Sequence, residues 1–112
     1  MKRYISYLAS ILKSRTSAVR EKKFKDATAA YIKNNNSLAK ELFYSLAIQG
    51  DVASQWYLGL MYKNGEGVAQ DHKEAIKWYR KAANQGDPRA QLNLALMYKN
   101  GEGVIQDYKE AL

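Results

Sequence analysis

The sequence predicts an all-α fold, an α-hairpin repeat solenoid, on three observations. Tyr62-Lys63-Asn64-Gly65-Glu66-Gly67-Val68 recurs letter for letter as Tyr98–Val104, 36 residues further on. At that offset Gln49–Ile76 falls on Gln85–Leu112, and nineteen of the 28 aligned pairs are identical. Between the repeated loops, apolar residues recur at helical spacing and end on Gly, Asn or Asp. A fixed period of about 20–50 residues marks a supersecondary unit that cannot bury its own apolar face, so neighbours must stack.

The elements follow in order. Residues 3–14 form a first candidate helix, with Tyr4, Ile5, Leu8, Ile11 and Leu12 on one face. A degenerate first hairpin spans 20–48. Its helix A covers about 20–33 and ends at Asn34-Asn35-Asn36, and its helix B covers 37–48 with Ser37 as cap. Residues 39–51 align with 75–87, but the Gly-Glu-Gly loop is missing, so the connection is shorter. A full repeat spans 49–84. Asp51 caps helix A over about 52–63 by accepting from free N–H groups of the first turn. Asn64-Gly65-Glu66-Gly67 then reverses the chain, because Asn and Gly tolerate positive φ, and Val68 is expected to plug into the core. Asp71 and Glu74 read as a capping box for helix B over about 72–84, whose stripe is Ala75, Ile76, Trp78, Tyr79, Ala82 and Ala83. The next repeat, 85–112, opens on Gly86-Asp87-Pro88, with Gly to end one helix, Asp to cap the next and Pro at its first position. Its helix A covers about 88–99. Asp107–Glu110 repeats the box, and the sequence stops within that helix B.

Charge is unevenly placed. The net charge is +7. Residues 1–25 hold eight basic side chains against Glu21 alone, whereas 26–112 hold ten of each sign. A basic leader on a neutral array is a poor reason to expect nucleic-acid binding, and none is expected. Three readings of this 1–19 segment stay open: a helix capping the first hairpin, a membrane-surface or targeting helix, or a nucleic-acid arm. Weak membrane-surface contact through residues 1–25 follows from the second. There are no cysteines, which removes disulfides, thiolate metal sites and cysteine nucleophiles. No stretch is apolar enough to span a bilayer. Tyr4–Leu12 is a short, Ser- and Tyr-containing match to a signal-peptide core, with no clear cleavage site after it. Cytoplasmic location is favoured, with secreted or periplasmic as the alternative.

The units resemble the Sel1-like repeat, a relative of the tetratricopeptide repeat. The resemblance rests on Leu58-Gly59-Leu60-Met61-Tyr62, Gly65-Glu66-Gly67-Val68, Asp71 and Ala75-x-x-Trp78-Tyr79-x-x-Ala82-Ala83. It is strong over 49–112, fair over 37–48 and weak before that. It implies a right-handed superhelix that holds other proteins, with helix A lining the concave side. Bacterial members of the family serve envelope, host-contact and signalling assemblies. A cysteine-rich branch is linked to β-lactam binding, which this Cys-free chain does not match.

No chemistry is expected. Gly65-Glu66-Gly67 lacks the Lys-Ser/Thr of a phosphate loop and follows a helix. His72 is the only histidine and becomes Tyr108 in the next copy. The paired carboxylates are explained as caps, and no metal or cofactor constellation is present. Leu58, Gly59, Met61 and Tyr62 should be core. The partner-binding candidates lie on the helix A surface: Trp56, Tyr57, Leu60, Lys63, Arg89, Asn93, Leu96 and Lys99. For Trp56 and Leu60 the alternative is packing against the preceding hairpin. The expected function is an adaptor that binds a protein or peptide on the concave face. Alternatives are a truncated fragment or regulatory subunit of a larger assembly and, further off, a cell-wall or β-lactam hydrolase. The chain is expected as a monomer or as a weak homodimer through the unfinished last hairpin, where Ala111 and Leu112 have little to pack on.

Overall fold

The computed structural model describes residues 2–103. Five helices follow one another: α1 Lys2–Ile32, α2 Asn36–Ala47, α3 Val52–Asn64, α4 His72–Asn84 and α5 Pro88–Asn100. Each packs against the next in the chain. Helices α1 and α2 make the first hairpin, α3 and α4 the second, and α5 opens a third.

The two helices expected over 3–14 and 20–33 are one. Residues 15–19 contain neither Gly nor Pro, and Thr16 Oγ1 bonds back to the Leu12 carbonyl at 2.9 Å, so nothing stops the helix there. It ends where Asn34 takes a left-handed φ of 61°. The cap of α2 is also corrected. Asn35, not Ser37, sits in the cap position, and its side chain accepts from Leu38 N–H. Asn35 N–H bonds back to the Ala30 carbonyl at 2.8 Å, so the reversal is complete before Asn36 and α2 starts there.

In the full repeat the punctuation acts as expected. Asp51 accepts from Ser54 N–H at 2.9 Å, and Gly65 closes α3 at φ 71°. Asp71 accepts from Glu74 N–H. The reciprocal half of the box is absent, because Asp71 N–H donates to the Tyr62 carbonyl at 2.8 Å. The Glu74 carboxylate instead stands 3.7 Å from Lys77. Val68 is half-buried. Gly86 has φ 92°, Asp87 accepts from Arg89 N–H, and Pro88 takes the first turn of α5. Tyr108, Ala111, Leu112 and the second box at Asp107–Glu110 lie outside the described residues.

The core has two parts. One joins Ala27 and Ala30 of α1, Ala39, Phe43 and Ala47 of α2, and Leu58 and Met61 of α3 with Trp78. The other gathers Ala75, Ile76, Tyr79 and Ala82 of α4 with Ala90 and Met97 of α5. Tyr62 packs against both. Alanines at the crossings let helix axes approach, and the large rings fill the space between them. Gly59 shows how close that approach is: a Cβ there would fall 2.5 Å from the Tyr79 ring.

Candidate functional site

Helix α3 has two sides. Ser54, Leu58 and Met61 are buried, and Leu58 and Met61 join the core shared with α1, α2 and Trp78. Trp56, Leu60 and Lys63 follow at steps of four and three residues, which puts them on the opposite side. All three are half-buried. The equivalent stripe on α5 is Leu92, Leu96 and Lys99, all exposed.

The structure brings four of the eight candidates together. The Trp56 indole N–H donates to Asn93 Oδ1 at 2.9 Å. The Arg89 guanidinium lies over the Trp56 ring, 4.5 Å from its centroid. Arg89 also reaches back to Asp87 at 3.1 Å. Burial pushes the Asp87 carboxyl up, but its hydrogen bonds with the Arg89 side chain and with the Arg89 and Ala90 backbone outweigh that and hold it below the ordinary value. Tyr57 meets Trp56 edge-on at 5.1 Å. It also lies flat on Phe43, with centroids 4.4 Å apart, and is bounded by Phe24 and Tyr31. Tyr57 is thus enclosed by the first hairpin, and Trp56 is engaged by α5. Both side chains spend most of their surface between units. Of the other four, Leu96 and Lys99 are exposed, and Leu60 and Lys63 are half-buried, as Trp56 is.

Two contacts between units were missed in the sequence. Gly67 has φ 70°, and a Cβ there would fall 2.8 Å from Asn36 at the start of α2. Gly103 repeats this at φ 74°, 2.8 Å from the Cβ of His72 at the start of α4. The Gly-Glu-Gly loop therefore reverses the chain and also seats each unit on the helix B of the unit before. His72, beside that seat, stands 4.0 Å from Glu102. The second contact is made by a pair of side-chain amides, buried at Gln55 and exposed at Gln91. Gln55 Nε2 donates to the Ala47 carbonyl at 3.1 Å, and Gln91 Nε2 to the Ala83 carbonyl at 3.3 Å. The signal was available: Gln55 repeats as Gln91, and a buried glutamine such as Gln55 needs a partner for its amide.

Glu66 adds a tie between units. The Tyr31 hydroxyl donates to its carboxylate at 2.9 Å. Burial, then the Glu66 hydrogen bond and charge, push the Tyr31 phenol up to about 12. Among the described residues no three His, Asp or Glu side chains gather as metal ligands would, and no helix is long and apolar enough to cross a membrane.

Comparison with known proteins agrees with this geometry. A solved Sel1 repeat protein from Oxalobacter formigenes superposes with a TM-score of 0.74 at 38% identity, over 79% of this chain and 36% of its own. A protective antigen present in uropathogenic Escherichia coli strains, which displays an SLR fold, superposes with a TM-score of 0.77 at 36% identity, over 93% of this chain and 23% of its own. An exopolysaccharide production negative regulator from Rhizobium leguminosarum bv. viciae is 38% identical over 60 residues, 54% of this chain and 22% of the regulator. The chain thus spans between about a fifth and a third of the relatives it matches. The profile of the Sel1 repeat fits residues 28–51, 52–87 and 88–112. Repeats of this kind are non-enzymatic scaffolds that mediate protein–protein interaction. With three matched repeats over most of its length, the chain belongs to the Sel1 repeat family.

Proposed function

We propose that this chain is an adaptor module that holds a protein or peptide partner on the outward face of its A helices and performs no chemistry of its own. The observation that carries this reading is the stripe that recurs at the 36-residue offset, Leu60 with Leu96 and Lys63 with Lys99, on helices locked from beneath. Apolar and cationic side chains at a fixed pitch suit an extended or helical ligand. Trp56, Tyr57, Arg89 and Asn93 then act mainly by fixing the spacing between α3 and α5, so the partner meets a preformed surface.

The test is capture of partners by the whole chain and by Leu60→Glu/Leu96→Glu. Loss of the captured protein with unchanged helical circular dichroism supports the face. Retention of the same protein by the variant would put the binding surface elsewhere.

A second reading makes the chain part of a larger regulatory assembly. One observation favours it. Leu92 is 62% exposed at the position where Trp56, its counterpart, is covered by Arg89 and Asn93 of α5, the A helix of the following unit. A further unit or a second copy would cover Leu92 in the same way. Light scattering on the eluting chain separates this from a monomer.

A further inference from the structure

Helix α1 outruns the hairpin it belongs to. Its 31 residues extend about 46 Å at 1.5 Å per residue, while the 12 residues of α2 extend about 18 Å. Arg20 still reaches Gln49 just past the end of α2, with Nε 3.1 Å from Oε1. Before it, Leu12, Arg15, Thr16 and Val19 flank a cleft shared with Leu46 and Gln49, and the residues preceding Ile11 project beyond the array. Residues 2–10 are all exposed, and Tyr4, Ile5 and Leu12 keep 71%, 64% and 62% of their surface. Tyr4, Ile5, Tyr7, Leu8, Ile11 and Leu12 fall within one arc of less than half the helix circumference. The other arc carries Arg3, Ser6, Ser10, Lys13, Ser14 and Ser17. Tyr4, Ile5 and Leu8 therefore cover no part of the first hairpin, and the capping role considered from the sequence is not what this arrangement provides.

We infer that residues 2–20 of α1 lie on an anionic lipid surface, apolar arc inward. Three features select lipid over another helix. First, the segment holds five basic residues, Lys2, Arg3, Lys13, Arg15 and Arg20, and no acid, which complements anionic headgroups and opposes pairing with a second copy. Second, Ile5, Leu8, Leu12, Arg15 and Val19 follow in alternating steps of three and four residues. A helix–helix seam along that line would bury the Arg15 guanidinium unpaired. At a lipid interface the same side chain lies along the apolar boundary and reaches the phosphates. Third, Tyr4 and Tyr7 bring rings with polar tips, which suit the headgroup level. The helix would rest on the surface and not span it, since its polar arc is too rich in Ser and charge.

Sedimentation of the whole chain with vesicles tests this. It is expected to pellet with phosphatidylcholine vesicles containing phosphatidylglycerol and to stay in solution with phosphatidylcholine alone. Leu8→Ser/Leu12→Ser should weaken the partitioning on the order of tenfold, and Lys13→Gln/Arg15→Gln by a similar factor. Neither pair touches the core, and the helical circular dichroism of the array reports its integrity. Three results would overturn the proposal: no pelleting with the anionic vesicles, equal pelleting with both kinds, or pelleting indifferent to the Leu8/Leu12 change. A lipid-free dimer that Leu8→Ser/Leu12→Ser dissolves would also overturn it, by identifying a second copy as the occupant. None of these outcomes bears on the A-helix face.

Discussion

Tyr79 and Gly59 meet where α3 crosses α4. The ring of Tyr79 is wholly buried against the position a Gly59 Cβ would occupy. Its hydroxyl has no hydrogen-bond partner among the described residues, and burial raises its pKa above the ordinary phenol value. The two residues should respond in opposite ways. Gly59→Ala removes backbone freedom from a helix interior, which alone would help, but forces the ring or the helix to move. A net loss of about 1–3 kcal/mol is expected. Tyr79→Phe removes a buried, unbonded hydroxyl and leaves the ring, so it should be neutral or stabilising by up to about 1 kcal/mol. Thermal or urea unfolding of both variants checks the pair. A destabilised Tyr79→Phe would show that its hydroxyl has a bond in solution.

At the scale of elements, α5 is attached to α3 by the Trp56–Asn93 hydrogen bond, the Arg89 guanidinium over the indole and the second core. A partner-contact role for Trp56 predicts little change in stability on replacement. A packing role predicts coupling. A double-mutant cycle with Trp56→Phe and Asn93→Ala should give a coupling of about 0.5–1.5 kcal/mol in urea unfolding, the usual net value of one such bond. Additive effects would return Trp56 to the list of contact residues. The starts of α3 and α4 and the end of α3 were legible in the sequence because Asp51, Asp71 and Gly65 act within their own turns, whereas the α2 cap fell on Asn35 and not on Ser37. The Trp56 site was only half legible, because periodicity names the face of a helix and does not say whether the next unit covers it. The length of α1 was misread for a related reason: a fading apolar stripe ends a hairpin face without ending a helix.

For the molecule as a whole, the units are joined in series, and the Tyr31–Glu66 bond ties the first helix to the loop of the second unit. The phenol of Tyr31 is raised from 10.0 to about 12 in the fold. A raised folded-state pKa means that the neutral form is favoured by folding. The contribution is therefore complete below the ordinary value of 10.0 and is lost as pH rises through about 12. Stability should fall over that window in the parent chain and fall less in Tyr31→Phe, measured by urea unfolding at successive pH values. Parallel curves would show that other groups govern the alkaline limb.

The seats of Gly67 on Asn36 and of Gly103 on His72 stand 36 residues apart on both partners. The second and third units each offer the loop backward, and the first and second each offer a helix start forward. A stretch of gene encoding 36 residues, copied in tandem wherever the cut falls within the regular part, would meet its neighbours with the contacts already in place. A change of one or two residues in that length would misalign every later seat. This architecture can therefore lengthen or shorten by recombination in whole units, while small insertions and deletions are confined to loops that carry no seat.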